Sequence, residues 1–197
     1  MPRRPARTRD SVRTRQAILV SARRAFARSG YDGAGVREIA SGAGVTAMLV
    51  NRYFGSKEKL FAEVVEQAMT TPSVLTEEFI GSPAPARSIA RALVAQTKAG
   101  DTPLDGFLIM LHSASSKRAA RIGRAQIERH HHRSLTAAVR GARAPERAAL
   151  VLSLVVGFQV MRQMFRLEAL ADADPDVLVS LLQPLLEQLI AGGRASD

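Results

Sequence analysis

Residues 36–55 read VREIASGAGVTAMLVNRYFG, and the placing of their small residues leaves few ways to fold. Ile39 and Ala40 lie on the inner side of one short helical segment, and Ala40 is small enough to let a second helix approach closely. Gly44 stands where the chain must turn sharply, a position that calls for positive φ. Val45 and Val50 then supply the apolar contacts between the two segments. A small residue, a glycine four later, an apolar residue next and another five on form the pattern of a helix-turn-helix. An ordinary helical hairpin has the same pattern, so the charge around it has to decide.

The net charge is +10, and it is unevenly placed. Residues 1–60 hold 13 Lys and Arg against 4 Asp and Glu, while the remaining residues hold 15 against 14. A cationic head on a near-neutral remainder points to a polyanion partner for the head and a different partner for the rest. The excess falls on the same first 60 residues that hold the helix-turn-helix, which favours a nucleic-acid reader over a plain hairpin. The alternative is a helical adaptor whose basic head binds acidic protein or lipid. Salt-dependent binding to duplex DNA separates the two.

On a helical wheel over 46–53, Val50 and Phe54 point inward with Leu49 and Tyr53 beside them. Ala47 and Asn51 share the outer face, and so do Met48 and Arg52. Asn can bond an adenine edge in two places and Arg a guanine edge, while Ala or Met can touch a thymine methyl. Thr46 can offer its hydroxyl and the helix N-terminus to a phosphate. Asn51 has two open readings, a base edge or a phosphate. Arg37, Tyr53 and Lys57 complete the candidate DNA-binding set.

The rest of the chain is helical in spacing, with no sustained alternation of period two. SVRTRQAILVSARRAFARSG puts Ile18, Ala22, Ala25 and Phe26 on one face, and Gly30 stops it. Further helices are expected at about 36–43, about 46–53 and from Ser56, which is placed to cap its helix with Glu58 in the first turn. The Pro-, Ser- and Thr-rich stretch 70–88 reads as a loose connection with a helical turn inside it. Helices follow at about 86–99, 103–114, 116–141, 145–170 and 174–191, the last kinked at Pro184. The expected fold class is all-α: a three-helix head carrying the helix-turn-helix, then a helical ligand-binding and dimerisation domain. The expected divisions are a basic arm at 1–11, a head at 12–66 and a second domain at 67–197.

The residues from Gly30 to Val65 resemble the DNA-binding domain of the TetR family of transcriptional regulators. The resemblance is carried by Gly30-Tyr31, Ile39-Ala40, Ala43-Gly44-Val45, Phe54 and Ser56-Lys57-Glu58-x-Leu60. It implies a recognition helix at 46–53, Lys57 as a phosphate clamp, and a C-terminal domain that dimerises and binds a small inducer. Three departures stand out. Gly35-Val36 occupy the place of a usual Thr or Ser, Met48 that of a Gly, and Asn51 that of a Tyr, so operator preference does not transfer from other members. The variant LVNRYFGSK resembles a subset of actinobacterial members.

Before the first helix, Arg3, Arg4, Arg7, Arg9, Arg13 and Arg15 face a single Asp10 and are expected to attract phosphates without reading sequence. Near the other end, the helix at 145–170 is apolar almost all round, and that at 174–191 carries a wide leucine face. Two such helices from each of two chains would form a four-helix interface, with Leu154, Phe158, Leu178, Leu182 and Leu186 as its expected residues and a homodimer as the product. Phe107, Met110, Leu111, Phe158, Met161, Met164 and Phe165 are candidates to line a pocket for an apolar or amphipathic effector, with core packing as their other role.

Several classes are read out. The richest apolar run, LVLSLVVGFQVM at 150–161, is shorter than the ~18 residues of a membrane span, so no membrane partner is expected. Cysteine is absent, which excludes disulfides and thiolate metal sites and fits a cytoplasmic protein. The three histidines 130–132 point about 100° apart on a helix, so they do not grip one metal ion. No nucleophile elbow, phosphate loop or dinucleotide fingerprint is present, so neither a cofactor nor an enzymatic activity is expected.

Overall fold

The computed structural model describes residues 5–70, 74–98 and 105–192, and every regular element among them is a helix. They are α1 Pro5–Gly33, α2 Val36–Gly42, α3 Ala47–Phe54, α4 Lys57–Thr70, α5 Glu77–Ile80, α6 Pro85–Gln96, α7 Asp105–Ser113, α8 Lys117–Ile127, α9 Arg133–Ala138, α10 Ala144–Gln159, α11 Glu168–Ala171 and α12 Pro175–Ala191. Two π-turns, Glu128–His132 and Val160–Met164, continue α8 and α10. The helices group into two compact units. The first holds α1 to α4 together with α7 and α8 as far as Gln126; the second holds α5, α6 and the chain from Ile127 onward. The expected division after residue 66 thus misses α7 and most of α8, which return to the head. α1 begins at Pro5, inside the expected arm; Arg3 and Arg4 lie outside the described residues.

In the first unit, Ile18, Ala22, Ala25 and Phe26 of α1 are buried, as the sequence spacing requires. The helix breaks at Gly30, whose φ of 65° and ψ of −175° suit only glycine. The C-terminus of α7 fills the break. A Cβ on Gly30 would lie 2.2 Å from the His112 carbonyl oxygen. Beside it, the Tyr31 N–H donates to Ser113 Oγ at 2.9 Å, and His112 Nδ1 lies 2.6 Å from the Ala27 carbonyl oxygen. Between α2 and α3, Val45 N–H reaches the Ala40 carbonyl and Gly44 N–H the Ser41 carbonyl, at 3.0 and 3.1 Å. This is a Schellman closure with Gly44 at φ 67°. The close approach of α2 to α1 rests on Gly42, where a Cβ would come within 2.5 Å of Ser21 Oγ, and on the Ser21 hydroxyl donating to the Ile39 carbonyl at 2.8 Å. At the start of α4, Ser56 Oγ accepts from Lys59 N–H at 3.2 Å, with Glu58 in the first turn.

The second unit is built on α6 against α12. Ile89, Ala90, Leu93 and Val94 share a core with Val151, Val155 and Phe158 of α10 and with Leu178, Leu182, Leu186 and Ile190 of α12. The connection before it contains the single-turn helix α5, capped by Thr76. α12 is capped by Asp174 and continues through Pro184 to Ala191 as one element. The expected helix at 145–170 instead ends in a π-turn and stops where Arg166 takes φ 49°. Together α10 and its π-turn run 21 residues, Ala144–Met164, long and apolar enough by length and composition to cross a membrane. The expectation of too short a run is corrected on that point. The helix nevertheless turns Ala148, Val151, Val155 and Phe158 into the unit's core and carries the buried Arg162.

On the first π-turn, His132 Nε2 lies 2.9 Å from the Pro145 carbonyl oxygen. His131 is half-buried, and its pKa is lowered, first by desolvation and then by the neighbouring His130.

The glycines of the head differ in what a methyl would meet. Gly30→Ala should lose on the order of 3 kcal/mol in denaturant melts, because both the backbone and the space are closed to a methyl. Gly44→Ala should lose only about 1 kcal/mol, since a Cβ there meets nothing within 4 Å and the strain of positive φ acts alone. For His131, the unfolded imidazole protonates near 6.5 while the folded one resists. Its neutral form therefore costs nothing above that pH, and stability falls as pH drops below it. Thermal melts at pH 7.5 and 5.5 should show a smaller acid-induced loss for His131→Gln than for the wild type.

Candidate nucleic-acid interface

α3 is eight residues long and amphipathic. Val50 and Phe54 are buried, which fixes the helix against the head and sends the opposite side chains outward. Asn51 and Arg52 are exposed, and Met48 is 81% exposed, a large apolar side chain held in water. Thr46 caps the helix by accepting from Leu49 N–H at 3.3 Å, which leaves its hydroxyl proton to donate outward. Ala47, one turn before Asn51 on the same side, is half-buried against the head's core. Tyr53 is also half-buried there, its ring centroid 6.5 Å from that of Phe54. Arg37 is exposed on α2.

Lys57 opens α4, and its ammonium is held in place. Nζ sits 4.8 Å from the centroid of the Tyr31 ring and donates to the Asp32 carbonyl oxygen at 3.4 Å. Partial burial lowers its pKa, and the charge of Asp32 works the other way. The ammonium therefore stands at a defined point beside α3, where a free lysine would sweep a wide arc.

The other cations of the head differ in how they are tied. Arg15 pairs with Glu63 at 2.6 Å and lies over the Phe54 ring, 4.9 Å from its centroid. Arg28 pairs with Glu38. Glu38 also accepts from Gly35 N–H at 3.4 Å, so a carboxylate closes the N-terminus of α2 where the sequence has no Ser or Thr. On α8, Arg118 and Arg121 reach Glu58 at 3.5 and 3.4 Å. Spacing alone reads these two as part of a solvated basic helix face, and nothing in it shows that α8 returns to α4.

The expected pocket residues divide between the units. Phe107, Met110 and Leu111 belong to the first, where Leu111 is exposed and Met110 packs so closely on Gly123 that a Cβ there would be 2.1 Å from Met110 Cε. In the second unit Phe158 is buried in the core, Met164 is half-buried, and Met161 and Phe165 are 46% and 71% exposed. Arg162 is the buried cation of this unit. Its guanidinium donates to the carbonyl oxygens of Val94 and Leu170 at 2.7 and 3.0 Å and to Thr97 Oγ1 at 3.0 Å. Desolvation lowers its pKa.

The expected dimer residues are corrected by burial. Phe158, Leu178, Leu182 and Leu186 lie inside the unit's own core, and Leu154 is partly buried against it. The apolar side chains left outside are their neighbours: Val177, Leu181 and Leu185 on α12, and Leu150, Val156 and Met161 along α10 and its π-turn. α12 is apolar on both sides, and the wheel alone could not say which stripe its own core takes.

Comparison with known proteins agrees with this architecture. Residues 18–64 match a family model described as bacterial regulatory proteins, tetR family, and residues 84–190 match one described as tetracyclin repressor-like, C-terminal domain. The chain is 43% identical over 56 residues to the HTH-type transcriptional repressor AcnR of Corynebacterium efficiens, a match spanning 28% of this chain and 30% of that protein. The crystal structure of a TetR-family regulator from Streptomyces coelicolor superimposes with a TM-score of 0.58 at 26% identity, covering 96% of this chain and 99% of the other. Salmonella enterica GusR shares the fold, with a TM-score of 0.70 at 16% identity over 90% of this chain and 95% of its own.

Proposed function

The chain belongs to the TetR family of bacterial regulatory proteins, and on that premise we propose that it is a cytoplasmic, sequence-specific transcriptional regulator, a dimeric repressor released from its DNA operator by a small-molecule ligand. The observation that carries the reading is the split face of α3. Val50 and Phe54 anchor it, while Met48, Asn51 and Arg52 stand outward beside the positioned ammonium of Lys57. Such a helix suits the major groove, where an amide and a guanidinium discriminate base edges and an apolar side chain meets a thymine methyl. Thr46 and Lys57 take the phosphates on either side and set the register.

One α3 reads one half-site. Two copies held about 34 Å apart read a full operator, which requires a dimer. The outward stripe Val177, Leu181 and Leu185, with Leu150 and Val156, supplies the surface for it; burying the exposed half of each such side chain is worth about 1 kcal/mol. An apolar or amphipathic effector bound to the second unit would favour a conformation that misplaces the two heads. By linkage, operator and effector then weaken each other by the same factor.

The experiment is to select an operator from a random duplex pool and titrate variants against it and against a scrambled duplex. Asn51→Ala and Arg52→Ala should each cost on the order of 1–3 kcal/mol on the operator and relax preference at one position per half-site. Lys57→Ala should weaken both duplexes alike and flatten the salt dependence by roughly one unit. Equal weakening of both duplexes by Asn51→Ala would assign that residue to a phosphate. Leu181→Arg with Leu185→Arg should halve the mass in light scattering, keep the helical signal and abolish operator binding; a tight-binding monomer would overturn the dimeric reading.

A further inference from the structure

The first unit carries a second concentration of positive charge, away from α3. α8 turns Ala119, Gly123 and Gln126 into the structure, and Lys117, Arg121 and Arg124 form a stripe on the opposite side, with Arg118 on its shoulder. All four cations are exposed. Two of them are brought to the start of α4: Arg118 and Arg121 pair with Glu58, the residue after the phosphate-binding candidate Lys57. Tyr31 ties the two helices further. Lys57 lies over its ring, and its hydroxyl is the first contributor to the raised pKa of Arg118, ahead of Glu58. Four cations against Glu58 and the more distant Asp32 leave a net positive surface running on from Lys57. Structural support for α4 would need the two arginines that pair; it does not need Lys117 and Arg124.

We propose that this face of α8 is a second backbone-binding surface, taking DNA phosphates just outside the half-site that α3 reads. The inference rests on the reading of the chain as a DNA-binding regulator. It assigns Glu58 a definite part. By holding Arg118 and Arg121 it limits how strongly α8 grips any duplex, and so protects the share of affinity that depends on sequence. The surface carries no base-reading geometry, so its contribution is uniform across sequences and screened by salt.

The test uses the full-length protein, its selected operator and a scrambled duplex, titrated at several potassium chloride concentrations. Lys117→Ala with Arg124→Ala should reduce the slope of log affinity on log salt by about 0.9 for each phosphate that a protomer no longer neutralises, and weaken both duplexes by the same factor. Glu58→Gln should steepen the slope and narrow the ratio between operator and scrambled duplex. Arg87→Ala with Arg91→Ala, exposed cations of α6 in the second unit, should change neither. An unchanged slope and affinity in the Lys117 and Arg124 double variant, with wild-type melting, would overturn the proposal and leave the stripe to another anionic partner. A wild type that binds every duplex alike would instead sink the underlying reading. A wild type that discriminates, beside a double variant with the wild-type slope, sinks the α8 surface alone.

Discussion

The ring of Tyr31 is the point on which the head is assembled. It packs with Phe26 and Phe61, the Phe61 centroid lying 5.0 Å from each of the other two, and all three are buried. Phe26 comes from α1 and Phe61 from α4, so the cluster joins the two helices that flank the helix-turn-helix in sequence. Its geometry depends on the break at Gly30. A continuous α-helix would carry Tyr31 onward along the α1 axis, whereas the turned backbone brings it over α4 and gives its N–H to Ser113. Above the same ring stands Lys57. One glycine therefore sets an aromatic core, the docking of α7 and the place of the Lys57 ammonium. These are not separable features: the cation stands over a ring that Phe26 and Phe61 hold and whose backbone Ser113 ties.

The second unit meets a different requirement. A guanidinium buried without an acidic partner is costly unless every donor it presents finds an acceptor. Arg162 does so at Nε and Nη1, with carbonyl oxygens and a hydroxyl, and Val94 and Thr97 lie at the C-terminal end of α6, where the helix dipole favours a cation. Its Nε takes the Leu170 carbonyl from α11. Among the described residues no carboxylate pairs with it. Such an arrangement is intolerant of a shift between α6 and α10, so it helps to fix their register. The π-turn that carries Arg162 serves this geometry by placing one residue more in the turn than an α-helix allows.

Much of the fold was legible from local signals. The spacing from Ala40 to Val50 announced the paired short helices, and Gly44 does take the left-handed conformation that the turn demands. Gly30 stopped its helix as read, and Ser56 caps α4. The resemblance of residues 30–65 to a known head raised these readings above what periodicity gives. What was not legible is long-range. No pattern in the sequence shows that α7 and α8 return to the head, because their apolar spacing is the same whichever unit they join. The pairing of Arg118 and Arg121 with Glu58 crosses about sixty residues and leaves no local trace. The half-burial of Ala47 was not legible because a wheel gives direction without depth, and a short side chain at the first turn can face outward and still be half covered by its neighbours.

The α12 helix shows why a leucine-rich wheel is ambiguous in one particular way. Leu178, Leu182, Leu186 and Ile190 form one stripe; Val177, Leu181 and Leu185 form another, a single position away. Either could face the chain's own core by composition. Only the packing of α6 and α10 decides, and it takes the first. The second is left without cover in the single chain. On the dimeric reading proposed above, a helix with two apolar stripes ties the stability of one copy to the association of two, and the stripes respond differently to a charge. An arginine at 182 or 186 enters the protomer's core, so any loss of dimer there is indistinguishable from loss of fold. An arginine at 181 or 185 meets only water until a second copy arrives. Which stripe is core and which is left exposed therefore rests on the one-residue offset between them, which burial resolves and sequence does not.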